Sequence, residues 1–219
     1  MNSICQPSQL PHGAYAFDQF KTEDFREAFR LAIEEKHREI EAIIASPEAP
    51  SFANTILALE RSGALLEWVS GSFYNLLHAE ATDELMQISQ EVSPELSALS
   101  SFITLSEPLF ERIRQVWEAR ESLQLDAEDL RLLKRCYEGF SESGAQLPAE
   151  EKERLREVKR ELSELSLTFG QNNLKDQQRF RLFVDDAAAV EGLPLSTLAV
   201  ARELAEKEGK GEGWLFTLS

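Results

Sequence analysis

A chain of 219 residues is long enough to bury a real core, as one large domain or two small ones. Its net charge of −16, from 39 acidic against 23 basic residues, argues against nucleic acid or an anionic membrane as partner, since both need a basic footprint. No run of about 18 apolar residues could span a bilayer, and the opening MNSICQPSQLPHG lacks the basic and apolar regions of a secretory signal. Two cysteines, Cys5 and Cys136, make no disulfide framework and no paired metal-ligand motif. Cys136 falls among apolar helix positions, which predicts a buried free thiol, and a reducing cytoplasm is the simplest location.

Residues 1–20 read as irregular, punctuated by Pro7, Pro11 and Gly13. Thr22 reads as an N-cap with Glu23 and Asp24 in the first turn. Phe25, Ala28, Phe29, Ala32, Ile33, Ile40, Ile43 and Ile44 then give a first helix, ended by Pro47 and Pro50. A second helix restarts at Ser51 and carries Ile56, Leu59, Leu66, Val69, Phe73, Leu76 and Leu77 to about Ala81. Ser62-Gly63 lies inside it, at a cost of roughly 1 kcal/mol relative to alanine, so the glycine predicts either close helix approach or a kink. Asp83 is expected to cap a third helix carrying Leu85, Ile88, Val92, Leu96, Leu99 and Ile103, kinked or split near Val92 by Pro94. A fourth follows Ser106 with Leu109, Ile113, Val116 and Trp117 on one stripe. Asp126 caps a fifth, with Leu130, Leu133, Cys136, Tyr137 and Phe140 on its apolar side and Gly144 closing it.

The stretch from Leu147 to Lys175 predicts the longest helix and a spine for the others. Pro148 suits a first helical turn, and Glu150 and Glu151 complement the positive end of the helix dipole. Leu155, Val158, Leu162, Leu165 and Phe169 alternate steps of three and four and form one seam, expected to be a core stripe. Glu153, Arg156, Glu157, Lys159, Arg160, Glu161 and Glu164 are assigned to the wet face. Beyond it, Arg179–Val184 and Trp214–Leu218 read as strands. A helix from about Ser196 to Glu208 and a glycine turn at Gly209, Gly211 and Gly213 lie between them.

Candidate chemistry is sparse. Glu34-Glu35-Lys36-His37 holds one Glu-x-x-His pair, the unit a di-iron bundle uses twice, but His12 and His78 have no glutamate three residues before them. That pair therefore reads as a solvated helix face. His-Glu-x-x-His, the nucleophile elbow Gly-x-Ser-x-Gly and a phosphate-binding Gly-Lys-Ser/Thr loop are all absent from the sequence. Gly209-Lys210-Gly211-Glu212-Gly213 precedes a strand instead of opening a helix, so it reads as a plain turn.

Pro50-Ser51-Phe52-Ala53-Asn54-Thr55-Ile56 with Ala58-Leu59-Glu60-Arg61-Ser62-Gly63, and Leu162-Ser163-Glu164-Leu165-Ser166-Leu167-Thr168-Phe169-Gly170-Gln171-Asn172, carry a resemblance. They resemble the N-terminal region of the thimet-oligopeptidase family of zinc metallopeptidases, which includes oligopeptidase A and, as the nearest likeness, bacterial peptidyl-dipeptidase. Leu123–Leu133, Gly139-Phe140, Gly144-Ala145 and Trp214–Leu218 extend the likeness, in the family's order, from about Pro11 onward. The resemblance implies that the helical part forms one wall of a deep channel admitting short peptides. It implies that the opposite wall carries His-Glu-x-x-His and a later glutamate, holding zinc, with the motif glutamate activating water. None of those catalytic residues has a counterpart here, so no catalytic, cofactor-binding or metal residue is assigned to this chain.

The sequence thus predicts a mainly α fold: a multi-helix N-terminal domain over 1–178 around a long central helix. Residues 179–219 are expected to begin a small antiparallel β-containing subdomain, cut off at Ser219. The implied function is the non-catalytic part of a zinc-dependent, cytoplasmic oligopeptidase or peptidyl-dipeptidase hydrolase, inactive alone and lacking its own cofactor. Its implied partners are the missing C-terminal catalytic segment and, in the whole enzyme, short peptides, with no nucleic acid and no membrane. Weak self-association through 214–218 is also expected, because four large apolar residues fall within five positions. The alternatives are an independent helical interaction module and a non-functional relic.

Overall fold

The computed structural model describes residues 2–6 and 8–218. They form two compact units, residues 1–165 and residues 166–219.

The first unit is helical and its packing centres on α1 (Asp24–Ala45). The short α2 (Ala58–Arg61), α3 (Ala64–Glu80), α4 (Asp83–Thr104) and α5 (Glu107–Glu118) all pack on α1, and α6 (Ala127–Glu142) packs on α5. The two ends of α1 serve different cores. Phe25, Ala28, Phe29 and Ala32 meet Val69 and Phe73 of α3 and Leu85, Ile88 and Val92 of α4. Phe73 sits edge-on to both Phe25 and Phe29, with ring centroids 5.2 Å away in each case, a favoured arrangement for opposed quadrupoles. Ile40 and Ile43 meet Leu109, Ile113 and Val116 of α5 and Leu133 and Phe140 of α6. The expected irregular N-terminal segment is part of the first core: Ile4 is fully buried, and Trp68 Nε1 donates to its carbonyl at 2.8 Å. Pro7 lies outside the described residues.

Side-chain caps set most helix starts. Ser51 and Asn54 form a reciprocal box: Asn54 N donates to Ser51 Oγ at 3.1 Å and Ser51 N donates to Asn54 Oδ1 at 2.8 Å. Ser106 Oγ accepts from Leu109 N at 3.3 Å, and Asp126 Oδ1 accepts from Asp129 N at 2.8 Å. Two expected caps move. Thr82, not Asp83, caps α4, accepting from Leu85 N. The first turn of α1 is held by backbone bonds from Asp24 N to Lys21 O and Phe25 N to Thr22 O, without a side-chain cap. Pro94 does not split its helix: α4 runs unbroken from Asp83 to Thr104. Burial of Leu85, Ile88, Val92 and Leu99 on both sides of Pro94 offsets its one lost backbone bond. On α6, Leu130 is left exposed, while Leu133 and Phe140 are buried.

The expected second helix is three pieces. Phe52–Leu57 is a π-helical turn, α2 follows, and the chain breaks at Ser62-Gly63 before α3. Gly63 has φ +81, and a Cβ there would lie 2.6 Å from Lys36 Cδ, so the position combines a left-handed backbone with close approach. The break is tied to α1 by Lys36 Nζ, which donates to Ser62 O at 2.8 Å, and by Gly63 N, which donates to Glu39 Oε2 at 2.6 Å.

The long helix α7 spans Ala149–Arg179, close to the expected range, but its buried face is not the expected one. Lys152 is 7% exposed, and Leu155, Arg156, Lys159 and Ser163 are half-buried. Val158, Leu162, Leu165 and Phe169 are instead 42%, 60%, 60% and 75% exposed. The assignment of Val158, Leu162, Leu165 and Phe169 to a core stripe is therefore corrected, while Leu155 is packed near Gly144. α7 meets its bundle through Leu155 and through Lys152, Arg156 and Lys159, whose long stems can cover apolar surface.

In the second unit, β1 (Leu182–Val184) pairs antiparallel with β2 (Trp214–Phe216) in the register Leu182↔Phe216, Phe183↔Leu215, Val184↔Trp214. β2 is two residues shorter than expected at its far end, and Leu218 is 62% exposed. α8 (Leu195–Lys207) lies on β2, burying Ala201, Ala205 and Leu215, with Val190 nearby in the buried set. Asp186 Oδ1 accepts from Ala188 N at 2.9 Å and starts a 3₁₀ turn over Ala187–Val190. Arg181 Nε donates to Glu208 Oε1 at 2.9 Å.

Candidate functional site

The reactive residue types do not gather at one point. Among the described residues, no group of three or more His, Cys, Asp or Glu is placed to hold a metal ion. Glu34 is paired with Arg30 on the surface of α1. His37 stacks on Phe102 at a centroid distance of 3.9 Å, with Nδ1 3.5 Å from Glu41. His12 lies in a 3₁₀ turn and His78 in the last turn of α3, so neither completes a pair with Glu34.

Cys136 is half-buried against the α5–α6 core, so the expected burial is only partial. Loss of hydration, reinforced by the negative charge of Glu60, pushes its thiol up to about 12. Burial also raises the Cys5 thiol, with Glu27 and Glu35 adding to the effect. Neither sulfur is a thiolate nucleophile at neutral pH, because thiolate chemistry needs a lowered pKa. Gly209 and Gly211 have positive φ and lead into β2, the geometry of a turn.

Fixed polar geometry appears instead at the start of the π-helical turn. Arg112 is 8% exposed, and its guanidinium donates to Ser46 O at 3.1 Å, Glu48 O at 3.3 Å and Asn54 Oδ1 at 3.4 Å. It clamps the prolyl loop after α1 to the capping box around Ser51. Its Nε is buried without a partner in the described structure, so the clamp is not fully satisfied.

The surface that stands out is on α7. At about 100° per residue, Val158, Leu162 and Leu165 point roughly a third of a turn away from the side formed by Lys152, Arg156, Lys159 and Ser163. That second side faces the bundle, and Lys159 Nζ donates to Thr104 Oγ1 of α4 at 3.3 Å. Next to it, Arg156 and Arg160 line a cavity with Pro94, Ala98 and Phe102 of α4. Elsewhere on α7, Arg160 Nη1 lies 2.6 Å from Glu164 Oε1, and Arg154 Nη1 lies 2.9 Å from Glu157 Oε2. The sequence placed these leucines in the core, because periodicity identifies an apolar face without saying what covers it. Lys152 carried no signal of burial at all.

No family model matches the chain. It is 41% identical to dipeptidyl carboxypeptidase of Salmonella typhimurium over 217 residues, covering 99% of this chain and 32% of that protein. It is 37% identical to the Escherichia coli dipeptidyl carboxypeptidase over 218 residues, covering 100% of this chain and 32% of that protein. Over nearly all of its own length, the chain is thus similar to dipeptidyl carboxypeptidases. Oligopeptidase A of Haemophilus influenzae is a more distant relative, 26% identical over 216 residues, covering 99% of this chain and 31% of that protein. The match is to the N-terminal region of the family. The chain spans about a third of the length of the curated relatives it matches. Like the sequence, the structure has no helix long and apolar enough to cross a membrane among the described residues.

Proposed function

We propose that this chain is the N-terminal, non-catalytic part of a zinc-dependent peptidase that hydrolyses short peptides, removing dipeptides from their carboxyl ends. In this reading its helical bundle forms one wall of the substrate channel. The remaining two-thirds of the polypeptide supplies the zinc ligands and the group that activates water, and the whole enzyme works in the cytoplasm. The observation that carries the reading is the alignment with dipeptidyl carboxypeptidases along 99–100% of the chain at 37–41% identity. It is supported by the mainly helical bundle of the first unit.

Catalytic zinc needs three protein ligands around an open fourth position. In this reading the chain's own residues build and orient surface, and the zinc ligands come from the rest of the polypeptide. Arg112 and the Ser51–Asn54 box contribute by fixing the junction between α1 and the next helices.

The test compares the chain alone with the same chain fused to the remaining part of the Salmonella relative. Metal analysis after dialysis and a quenched-peptide assay are run on both. The fusion is expected to retain zinc and cleave peptides, and the chain alone to do neither. One tightly held zinc per chain with peptide turnover by the chain alone would overturn the proposal, as would a folded fusion that binds zinc without cleaving.

A further inference from the structure

We propose that the outward stripe of α7, formed by Val158, Leu162 and Leu165, seats an amphipathic helix from the polypeptide that makes up the other two-thirds of this family's proteins. The inference rests on the peptidase reading above and adds the surface and the shape of the contact.

Three observations carry it. The first is orientation: α7 lies against its own bundle on Lys152, Arg156, Lys159 and Ser163, which leaves the stripe free on a different side. Leu162 and Leu165, each 60% exposed, and Val158, 42% exposed, are therefore not core residues waiting for a small adjustment. The second is spacing. Steps of four and three along a helix make a seam that matches knobs from another helix, whereas a strand would present a repeat of two. The third is charge. Arg154, beside the stripe, is closed on Glu157 of α7 itself, so that guanidinium brings no unmatched charge to the seat.

A second copy of this chain is a poorer occupant. Each copy carries a net charge of −16, and two such surfaces repel on approach. Relatives about three times as long keep this sequence together with the rest of a polypeptide, which supplies a partner at high effective concentration. An exposed apolar stripe of this kind is the usual mark of a protein contact.

The experiment is thiol labelling with a maleimide in a Cys5→Ser, Cys136→Ser background. Leu162→Cys, Ser163→Cys and Glu164→Cys are each made in the chain alone and in its fusion to the remainder of the Salmonella relative. In the chain alone, Leu162→Cys is expected to label fast and Ser163→Cys slowly. In the fusion, Leu162→Cys is expected to slow at least tenfold while Glu164→Cys changes less than twofold.

A fusion that cleaves peptides but leaves Leu162→Cys as reactive as in the chain alone overturns the seat and leaves the peptidase reading standing. A protected Leu162→Cys in a folded but inactive fusion supports the seat and counts against the peptidase reading. Protection in the chain alone that grows with its concentration assigns the stripe to a second copy and overturns the proposal. Should the fusion fail to fold, the intact Salmonella enzyme carries the test, with cysteine at the position aligned with Leu162. Fast labelling there contradicts the seat, and protection supports it.

Discussion

Lys159 of α7 donates a hydrogen bond to Thr104 of α4 at 3.3 Å, and that contact marks which side of the long helix meets the bundle. Loss of hydration lowers the pKa of this lysine, as expected for an ammonium drawn partly out of water. Leu162, three residues further along, points elsewhere and is 60% exposed.

The core predictions follow from burial. Leu109 and Ile113 on α5 are fully buried between α1 and α6. Leu109→Ala should cost about 2–5 kcal/mol, since the cavity left behind adds to the lost transfer energy. Urea melts check this, and a loss below about 0.5 kcal/mol would show that this face of α5 is not core.

Gly63→Ala should destabilise by about 1–3 kcal/mol, because alanine resists a left-handed backbone. The new Cβ would also meet Lys36 Cδ at 2.6 Å. Moving Lys36 aside breaks its bonds to Ser62 O and Ser62 Oγ, at 2.8 and 2.6 Å. A double variant, Gly63→Ala with Lys36→Ala, separates the two effects. An additive double would mean that the clash contributes nothing.

Arg112→Ala should cost about 2–4 kcal/mol, because it strands buried carbonyls of the loop after α1. Arg112→Lys should recover less than half of this, since one ammonium cannot match a guanidinium fork bonded to three acceptors. Equal stability of the lysine variant and the parent in chemical melts would refute the clamp.

Cys136 gives a pH dependence with a defined sign. Its folded thiol ionises near 12, against 9.0 in the absence of the fold, so the folded state holds this proton more tightly. Stability is therefore unaffected by this group below about pH 9 and falls as pH rises from there toward 12. The slope is at most about 1.4 kcal/mol per pH unit. Lys36 acts oppositely, because burial lowers its pKa and its penalty is relieved as pH rises toward 10.5. The difference between parent and Cys136→Ser isolates the cysteine: the gap in urea midpoint should shift in favour of the serine variant above pH 9. A gap that is flat from pH 8 to 11 would contradict the assignment.

Much of the fold was legible in the sequence. The 3.6-residue repeat of Phe25, Phe29, Ala32 and Ile40 located α1, and Ser106 and Asp126 marked helix starts through their hydroxyl and carboxylate oxygens. The apolar runs read at 179–184 and 214–218 located the two strands, which are shorter in the structure, 182–184 and 214–216. The faces of α7 were not legible. A seam at Leu155, Val158, Leu162 and Leu165 is the same pattern whether the cover comes from this chain or from another polypeptide. Long basic stems can fill the role of apolar side chains at a packed face, and their charge hides that capacity from any hydrophobic count. The break at Gly63 was legible as an alternative only, since a tolerated helical glycine and a left-handed one look alike in sequence. For the candidate site, the quoted residues pointed to the family, while the outward stripe required coordinates.

The most direct test of the outward stripe is the urea midpoint of the double variant Leu162→Asp, Leu165→Asp in the chain alone. If the stripe faces solvent, two aspartates there should change stability by no more than about 1 kcal/mol, the range of exposed helix substitutions. If it were core, two buried carboxylates would unfold the chain or cost well over about 4 kcal/mol. A midpoint within that narrow margin of the parent is the result expected here, and collapse of the fold would contradict it.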